Sequence, residues 1–300
     1  RLQLRCGLSE FPREIFELTD SLEILDLSGN QLIALPNDLP RLHKLRVIFC
    51  SDNPFTELPE VLGQCTQLSM VGFKANRIAH VSPKALPPQL RWLILTDNML
   101  ATLPAAIGQC THMQKLMLAG NQLHTLPPEL ANCTHLELLR ISANQLTELP
   151  DGLLQLPRLT WLAFADNPFA HALEAQTLAN APTPHMAWHE IQLQHKLGEG
   201  ASGVIHQAVL RTDQGEQAVA VKLFKGSVTS DGLPDCEMAA CMHAGAHPHL
   251  VSAIGRVTAH PDHTQALVMP LVRPEFGNLA GPPSLESCTR DVYANGKKLA

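Results

Sequence analysis

The sequence predicts an α/β fold in which a solenoid of short repeats is followed by a smaller α+β domain. Three observations support this prediction. An asparagine recurs every 22 or 23 residues through the first half of the chain, with apolar residues at fixed offsets around it. This leucine periodicity ends at Leu173. A glycine-rich segment then lies between stretches of strand-like, β-branched sequence in the second half.

The repeating asparagines are Asn30, Asn53, Asn76, Asn98, Asn121, Asn144 and Asn167. Apolar residues lie at −8, −5, −3, +2 and +5 from each of them, and Pro36 and Pro127 are examples of a proline that follows the last. This L-x-x-L-x-L-x-x-N-x-L pattern resembles the short, 23-residue form of leucine-rich repeats. The resemblance implies a leucine-rich-repeat solenoid, a right-handed β/α coil, which we assign to residues 1–173.

The offsets predict how one repeat supports the next. Positions −5 and −3 are two residues apart, so both side chains point to the same side of a strand. The asparagine amide both donates and accepts, so it can bind backbone groups of a neighbouring coil and form a ladder. Because no repeat can bury its own apolar face, the stability of the array comes from stacking.

Composition limits the classes of partner. The net charge of −6 leaves no basic stripe for a nucleic acid, and no apolar run approaches the 18 residues of a membrane span. We therefore expect no nucleic-acid partner, no membrane contact and a cytoplasmic location. Because the chain begins at Arg1 rather than Met and ends near charged Lys297 and Lys298, we expect both ends to be truncations.

Most cysteines are predicted to be structural. Cys65, Cys110 and Cys133 each lie eleven residues before an asparagine, where other repeats carry leucine, so we interpret them as small buried apolar residues. Cys50-Ser51-Asp52 matches the Cys-x-Asp of ubiquitin ligases joined to similar repeats, but it falls within a predicted strand. A zinc site at Cys236, Cys241, His243 and His247 remains an alternative to a helix.

Residues 174–187 are rich in Ala, Thr and Pro and are predicted to be a linker. The pattern Gly198-Glu199-Gly200-Ala201-Ser202-Gly203 follows, and Val219-Ala220-Val221-Lys222 ends the second strand after it. Later, His247-Pro248-His249-Leu250-Val251 resembles the H-P-N-I-V of many kinases. Strand, glycine loop, strand, turn and strand with lysine is similar to the N-lobe of protein kinases. We assign residues 188–300 to the N-lobe, hinge and start of the C-lobe of such a domain.

The resemblance implies an ATP site in which Lys222 contacts the phosphates and Glu237 is its partner carboxylate; these two are the implied catalytic residues. Met269 would be the gatekeeper and Leu271 a backbone contact to adenine. Ser202 stands where the family usually carries an aromatic residue. Mg²⁺ is also implied, with its ligands expected beyond residue 300. The implied cofactor-binding residues are Leu197, Gly198, Glu199, Gly200, Ala201, Ser202, Gly203, Ile205, Ala220, Lys222, Met269 and Leu271.

The implied function is that of an ATP-dependent Ser/Thr-type protein kinase with a repeat domain that recognises protein, similar to repeat–kinase fusions of some bacteria. The alternative is a pseudokinase scaffold that binds nucleotide without transferring phosphate. Glu275-Phe276-Gly277 and Arg290-Asp291 imitate kinase motifs in the wrong order, so we interpret both as coincidences. The catalytic loop is expected beyond residue 300, and the 300-residue chain is predicted to be inactive alone.

Strand positions that alternate with the core leucines are predicted to face outward on the concave side of the repeats. Many of them are apolar, which predicts an exposed patch for a protein partner. Two alternatives remain open: these residues are half-buried at the strand edge, or the kinase lobe docks on them. The residues are Val47, Phe49, Met70, Trp92, Ile94, Met117, Leu138 and Trp161.

Overall fold

The computed structural model describes residues 1–180, 184–200, 202–213, 215–226, 229, 232–245, 247, 249–277 and 281, without the side chains of 177–180. The chain divides into two compact units, Arg1–Phe169 and Ala170–Ala300. Within the described residues, neither α-helix has the length and apolar character needed to cross a bilayer.

Eight short strands of the first unit form one parallel sheet in chain order. Each strand residue pairs with its counterpart one repeat later, so that Leu25 lies beside Ile48 and Ile48 beside Val71. From Asn30 to Asn144, the apolar residues at −5 and −3 are fully buried in one continuous core, and those of the last coil, Leu162 and Phe164, are partly buried against it. This is the predicted leucine-rich-repeat solenoid. The strands are β1 (Leu2–Gln3), β2 (Ile24–Asp26), β3 (Val47–Phe49), β4 (Met70–Gly72), β5 (Trp92–Ile94), β6 (Lys115–Met117), β7 (Leu138–Arg140) and β8 (Trp161–Ala163).

Short 3-10 helices return the chain from one strand to the next. They pack tightly on each other: a side chain at Gly108 would collide with the carbonyl group of Glu129 in the following coil. A 23-residue repeat therefore has room for a turn or two of 3-10 helix on this side. Their bounds are Arg13–Leu18, Leu39–Arg41, Glu60–Gln64, Pro83–Ala85, Ala105–Gln109, Pro128–Asn132 and Leu153–Gln155.

The buried asparagines form the predicted ladder. Asn144 is 2% exposed, and its Oδ1 accepts a hydrogen bond of 3.0 Å from the backbone N–H of Leu123. Its Nδ2 donates to the carbonyls of Leu118, at 3.0 Å, and Ile141, at 2.9 Å. One side chain thus satisfies backbone groups of two successive coils. The same pattern recurs at Asn30, Asn53, Asn98, Asn121 and Asn167.

The residue before each of these asparagines, and before Asn76, has a positive φ. Glycine adopts this conformation freely, but Ala75 at 53° and Ala143 at 52° are held in a region that costs an L-residue about 1–2 kcal/mol. The turn that presents the asparagine side chain therefore imposes the same backbone conformation on every coil. The seven residues are Gly29, Asp52, Ala75, Asp97, Gly120, Ala143 and Asp166.

We expect Ala143→Gly to raise the free energy of unfolding of the repeat unit by about 0.5–1 kcal/mol, because relief of the strained φ exceeds the added entropy of the unfolded chain. Ala106→Gly, in the 3-10 helix Ala105–Gln109, is the control and should lower it by about 0.5–1 kcal/mol. Urea unfolding followed by circular dichroism measures both. Equal destabilisation by the two exchanges would contradict the explanation.

The repeat cysteines are buried, as the sequence predicted. Burial raises the pKa of Cys65 and Cys110 to about 11 and that of Cys133 to about 12. Cys50 is also fully buried, which raises the pKa of its thiol strongly. Because a nucleophilic cysteine must be accessible as a thiolate, Cys50 does not fit the Cys-x-Asp of a ubiquitin ligase.

The second unit is built on a six-stranded sheet in the order β10-β11-β12-β14-β13-β9. All neighbours are antiparallel except β13 and β9, which are parallel. A 3-10 turn, Trp188–Glu190, lies between the first two strands along the chain. The elements are α1 (His171–Asn180), β9 (His185–Ala187), β10 (Ile191–Glu199), β11 (Gly203–Thr212), β12 (Gly215–Phe224), α2 (Pro234–His243), β13 (Gly255–Thr258) and β14 (Ala266–Pro270).

Where the sequence predicted a linker at 174–187, the structure places most of α1 and all of β9. The run from His171 to Asn180 contains Ala, Leu, Glu and Gln, which are strong helix formers. Residues 185–187 pair with a sheet edge that lies more than 60 residues later in the chain, and no local pattern announces such a pairing.

Among the described residues, a small core lies on each face of this sheet. On one face, Val219 and Val221 of β12 pack with residues of every other strand of the sheet. On the other, Phe224 packs against Met238 of α2 and Leu267 of β14. The period of two along β12 thus directs Ala220, Lys222 and Phe224 toward the side of α2.

Candidate functional site

The described residues of the glycine loop, 198–200, 202 and 203, include the end of β10 and the start of β11. Gly200 donates its backbone N–H to the carbonyl of Gly203 at 2.9 Å, which closes the turn. A Cβ added at Gly203 would lie 2.5 Å from the carbonyl oxygen of Leu223, so glycine is required there. A Cβ added at Gly198 or Gly200 would meet no atom within 4 Å. The outer part of the loop is therefore open to a ligand.

Lys222 and Glu237 are brought together beside the glycine loop. The Nζ of Lys222 forms an ion pair with Oε1 of Glu237 and lies 4.7 Å from the centroid of the Phe224 ring. The side chains are 14% and 25% exposed. Oε2 of Glu237 is buried, with no hydrogen-bond partner among the described residues. The ammonium group has three donors, so it can hold the carboxylate and still bind an anion.

The apolar residues implied for adenine share one face of the sheet with Lys222. Ile205 lies directly opposite Lys222 on the adjacent strand, and Ala220 lies opposite Met269. Residues opposite each other in antiparallel strands project from the same face. Ala220 is 8% exposed, whereas Leu197, near the end of β10, is 45% exposed.

The segment after β14 completes this part of the site. Leu271 is half-buried and follows the last residue of β14, Pro270. It lies where the chain leaves the sheet, at the position that the kinase resemblance assigns to the hinge.

Two lysines that the sequence analysis did not single out hold the glycine loop. Glu199 accepts hydrogen bonds from Lys196, at 2.5 Å, and from Lys225. These two bonds, that of Lys196 first, lower the pKa of Glu199 to about 2. The backbone N–H of Lys225 also donates to the carbonyl of Ser202 at 3.0 Å. The loop is thus tied to the end of β12, although Ser202 replaces the usual aromatic residue; Ala201 lies outside the described residues.

A second contact missed by the sequence analysis lies at the start of α2. The Nη2 of Arg256 donates to Oδ1 of Asp235 at 2.7 Å, and the Nε2 of Gln265 donates to Oδ2 of the same carboxylate at 2.9 Å. Asp235 precedes Glu237 by two residues. Separations of 21 and 30 residues from these partners give no sequence signal for either contact.

Two segments of the sequence imitate kinase motifs, and a third group of residues was a possible zinc site. Glu275-Phe276-Gly277 lies on an exposed turn, where Glu275 pairs with Arg273 at 3.1 Å. Arg290-Asp291 lies outside the described residues. Cys236, Cys241 and His243 belong to α2, and the described residues contain no group of three or more His, Cys, Asp or Glu side chains placed to hold a metal ion.

The strand face of the repeats is less exposed than the sequence predicted. Val47, Met70, Trp92 and Leu138 are only 4%, 3%, 9% and 4% exposed. Residues in the same register stack on strands about 4.8 Å apart and cover one another. Lys115 extends this row, with its Nζ 3.9 Å from the centroid of the Trp92 ring. The prediction that these four apolar residues form an exposed patch is therefore wrong, and the half-buried alternative fits them better.

Other members of the predicted patch keep exposed area. Phe49, Ile94 and Met117 are half-buried, and Trp161 is 49% exposed. The ring of Phe49 covers Gly72, where an added Cβ would lie 2.5 Å from its Cδ1. We call Phe49, Ile94, Met117 and Trp161 the exposed strand-face residues.

Comparison with known families matches three stretches of the chain. Two leucine-rich-repeat models match residues 21–42 and 111–169. A model of the protein tyrosine and serine/threonine kinase family matches residues 191–280. The chain therefore carries leucine-rich repeats followed by a protein-kinase domain region, as the sequence resemblances implied.

Individual proteins match only in part. Over 87 residues, 29% of this chain, the identity is 31% to the human PH domain leucine-rich repeat-containing protein phosphatase 1 and 29% to the mouse protein of that name. The chain spans 5% of the length of these relatives. A solved leucine-rich-repeat protein of Leptospira interrogans is 24% identical with a TM-score of 0.46, covering 55% of this chain and 54% of that one.

Proposed function

We propose that the second unit is the nucleotide-binding part of an ATP-dependent protein kinase, with serine or threonine as the acceptor, and that the repeats recognise a protein. The observation that supports this most directly is the ion pair of Lys222 and Glu237 beside an open glycine loop. It lies within the region that matches the kinase family. The seven described cysteines are all free thiols, which agrees with a reducing, cytoplasmic compartment.

The chemistry of the site fits ATP. At Gly198 and Gly200 no side chain intervenes between the backbone of the glycine loop and a ligand, and Lys222 offers a cation held by Glu237. Ala220, Ile205 and Met269 give an apolar surface for an aromatic base on the same face. When bound, ATP supplies the phosphoryl group, and Mg²⁺ neutralises phosphate charge. The described residues do not supply the motifs that, in the kinase resemblance, hold Mg²⁺ and orient the acceptor hydroxyl.

We expect the 300-residue chain to bind ATP without transferring phosphate, because binding needs only the groups described here. Isothermal titration calorimetry with a non-hydrolysable ATP analogue tests binding, and radiolabelled ATP with a generic protein substrate tests transfer. Lys74→Met removes an exposed lysine of the repeat unit and is the control for the loss of one positive charge. It should bind the ATP analogue as the wild type does. Absence of saturable binding would refute the proposed site. Phosphate transfer by this chain would contradict the kinase motif order inferred from the sequence, which places no catalytic loop within residues 1–300.

The alternative, a scaffold that binds nucleotide without transfer, uses the same site. Both hypotheses predict nucleotide binding by this chain. They differ in one measurement, phosphate transfer by the complete protein, which a kinase carries out and a scaffold does not.

For the repeats, we propose that the exposed strand-face residues contact a protein partner. Trp161 supports this, because its side chain is 49% exposed whereas Val47, Met70, Trp92 and Leu138, in the same register, are buried. The guanidinium of Arg140 lies 5.2 Å from its ring centroid. Exposed tryptophan beside arginine is typical of the energetically dominant residues of interfaces.

We expect Ile94→Lys combined with Trp161→Glu to abolish recovery of a co-purifying protein while the unfolding temperature of the repeats changes by less than about 4 °C. The matched control is Ile33→Lys with Leu154→Lys, which alters two side chains that are 70% exposed and lie outside the strands. Mass spectrometry of the co-purified material is the measurement. Equal loss in both variants, or a large fall in unfolding temperature in the first, would argue against a binding surface on the strands.

A further inference from the structure

The strand β9 belongs to the sheet of the second unit, although it follows the repeats closely in the chain. Its residues 185–187 pair in parallel with β13, and Pro184 accepts a hydrogen bond of 2.9 Å from the backbone N–H of Arg256. Met186 and Trp188 pack against the larger core of this unit. The segment that joins the repeats to the kinase region is therefore part of the kinase region's own edge.

One glycine permits this close approach. A Cβ added at Gly255 would lie 2.5 Å from the carbonyl oxygen of Pro184 and 3.2 Å from Cε of Met186. The carbonyl oxygen of Pro184 belongs to the backbone, so it cannot move aside as the end of a flexible side chain would. Any side chain at this position would push β9 away from β13.

The next residue of β13 connects this edge to the Glu237 helix. Arg256 binds the carboxylate of Asp235, and Gln265 binds its other oxygen. Asp235 lies in the first turn of α2, where the N-cap residue Leu233 makes no side-chain capping bond. Side chains of β13 and of the residue that precedes β14 therefore hold Asp235 in this turn.

We propose that Asp235 is a positioning residue for Glu237, and that β9 acts on the Lys222–Glu237 pair through Arg256. Helix α2 is short and buries only Pro234 and Met238, so few apolar contacts fix its position. Lifting β9 from the edge displaces the backbone of Arg256, releases Asp235 and moves Glu237 away from Lys222. This inference rests on the proposed nucleotide site for its functional meaning, but its geometry does not.

Cys241 reports the position of α2 independently of nucleotide. It is half-buried against Phe224 and Met238, and this burial raises the pKa of its thiol. Its rate of alkylation by iodoacetamide at pH 8, resolved by mass spectrometry, should increase when α2 loosens. Cys6, an exposed thiol of the repeat unit, is the internal standard.

Arg256→Gln in the full 300-residue chain is the principal test. We expect Cys241 to react about threefold faster and the dissociation constant of the ATP analogue to rise by a similar factor, as for loss of a partly exposed ion pair. Arg256→Lys should restore part of both. Arg211→Gln is the matched control, because Arg211 also bonds a carboxylate, that of Glu216 at 2.9 Å, but at the far hairpin of the sheet.

The outcomes separate the inference from the proposed function. If Arg256→Gln matches Arg211→Gln in Cys241 reactivity, the positioning role is overturned, whatever the nucleotide data show. If Cys241 reactivity rises while even the wild type binds no nucleotide, the positioning role stands and the proposed function fails.

The role of β9 has its own variant. Gly255→Ala should reproduce the faster alkylation of Cys241. If the alkylation rate of Cys241 is unchanged in a folded Gly255→Ala chain, β9 does not act on the position of α2. Should this variant not fold, Thr258→Val is the milder substitute, since Thr258 donates from its hydroxyl to the carbonyl of Met186 at 3.4 Å.

Discussion

Lys222→Met is expected to weaken binding of the ATP analogue by at least about tenfold, because a hydrogen bond to a charged group contributes about 1.5–3 kcal/mol. It should also destabilise the second unit. The structure shows a side chain only 14% exposed and paired with Glu237. Removing it leaves a mostly buried carboxylate without its cation, at a cost of about 1–3 kcal/mol.

A double variant separates the two effects. Lys222→Met with Glu237→Gln removes both charges, so thermal unfolding should return toward the wild-type temperature while nucleotide binding stays lost. Lys74→Met again serves as the control for loss of one positive charge. If the double variant binds nucleotide as the wild type does, Lys222 does not contact the phosphates.

The second large effect is expected in the asparagine ladder. Asn144→Ala leaves the N–H of Leu123 and the carbonyls of Leu118 and Ile141 without their side-chain partner in a buried environment. Each unsatisfied buried group costs about 1–3 kcal/mol, so we expect the free energy of unfolding of the repeat unit to fall by about 3 kcal/mol or more. Because coils support only their neighbours, the defect should also reduce the cooperativity of unfolding.

Gln145→Ala is the control for Asn144→Ala. Gln145 is the next residue, but it is exposed and should change stability by less than about 0.5 kcal/mol. Urea unfolding measures the midpoint and the slope for both variants. A small effect at Asn144 would mean that water replaces the amide, and that the ladder contributes little.

The repeat unit was largely predictable because its information is local and is repeated. Each coil carries the same apolar offsets and the same asparagine, so register between strands follows from spacing alone. Exposure on the strand face was not predictable in this way. Met70, for example, is covered by Val47 and Trp92 of the neighbouring coils. The alternation of side chains along one strand does not show how far residues of the adjacent strands cover them.

In the second unit, the sequence indicated the glycine loop, Lys222 and Glu237, because each stands in a motif with a chemical requirement. It did not indicate Lys225 as the partner of Glu199, or Arg256 as the partner of Asp235. These are surface-type residues in no motif, and only the pairing of distant strands brings them together.

The sequence by itself determined the solenoid, the kinase-like order of strands and loop, and the identity of the two charged residues at the site. Spacing was sufficient for the solenoid, and the resemblance of the second half to protein kinases supplied the other two, since both depend on motifs that are local in the chain. Tertiary structure decided that β9 joins the sheet edge, that the row containing Trp92 is buried, and that β13 holds the first turn of α2. Those features depend on contacts between distant segments, which fix how far a strand edge is covered and where a short helix lies.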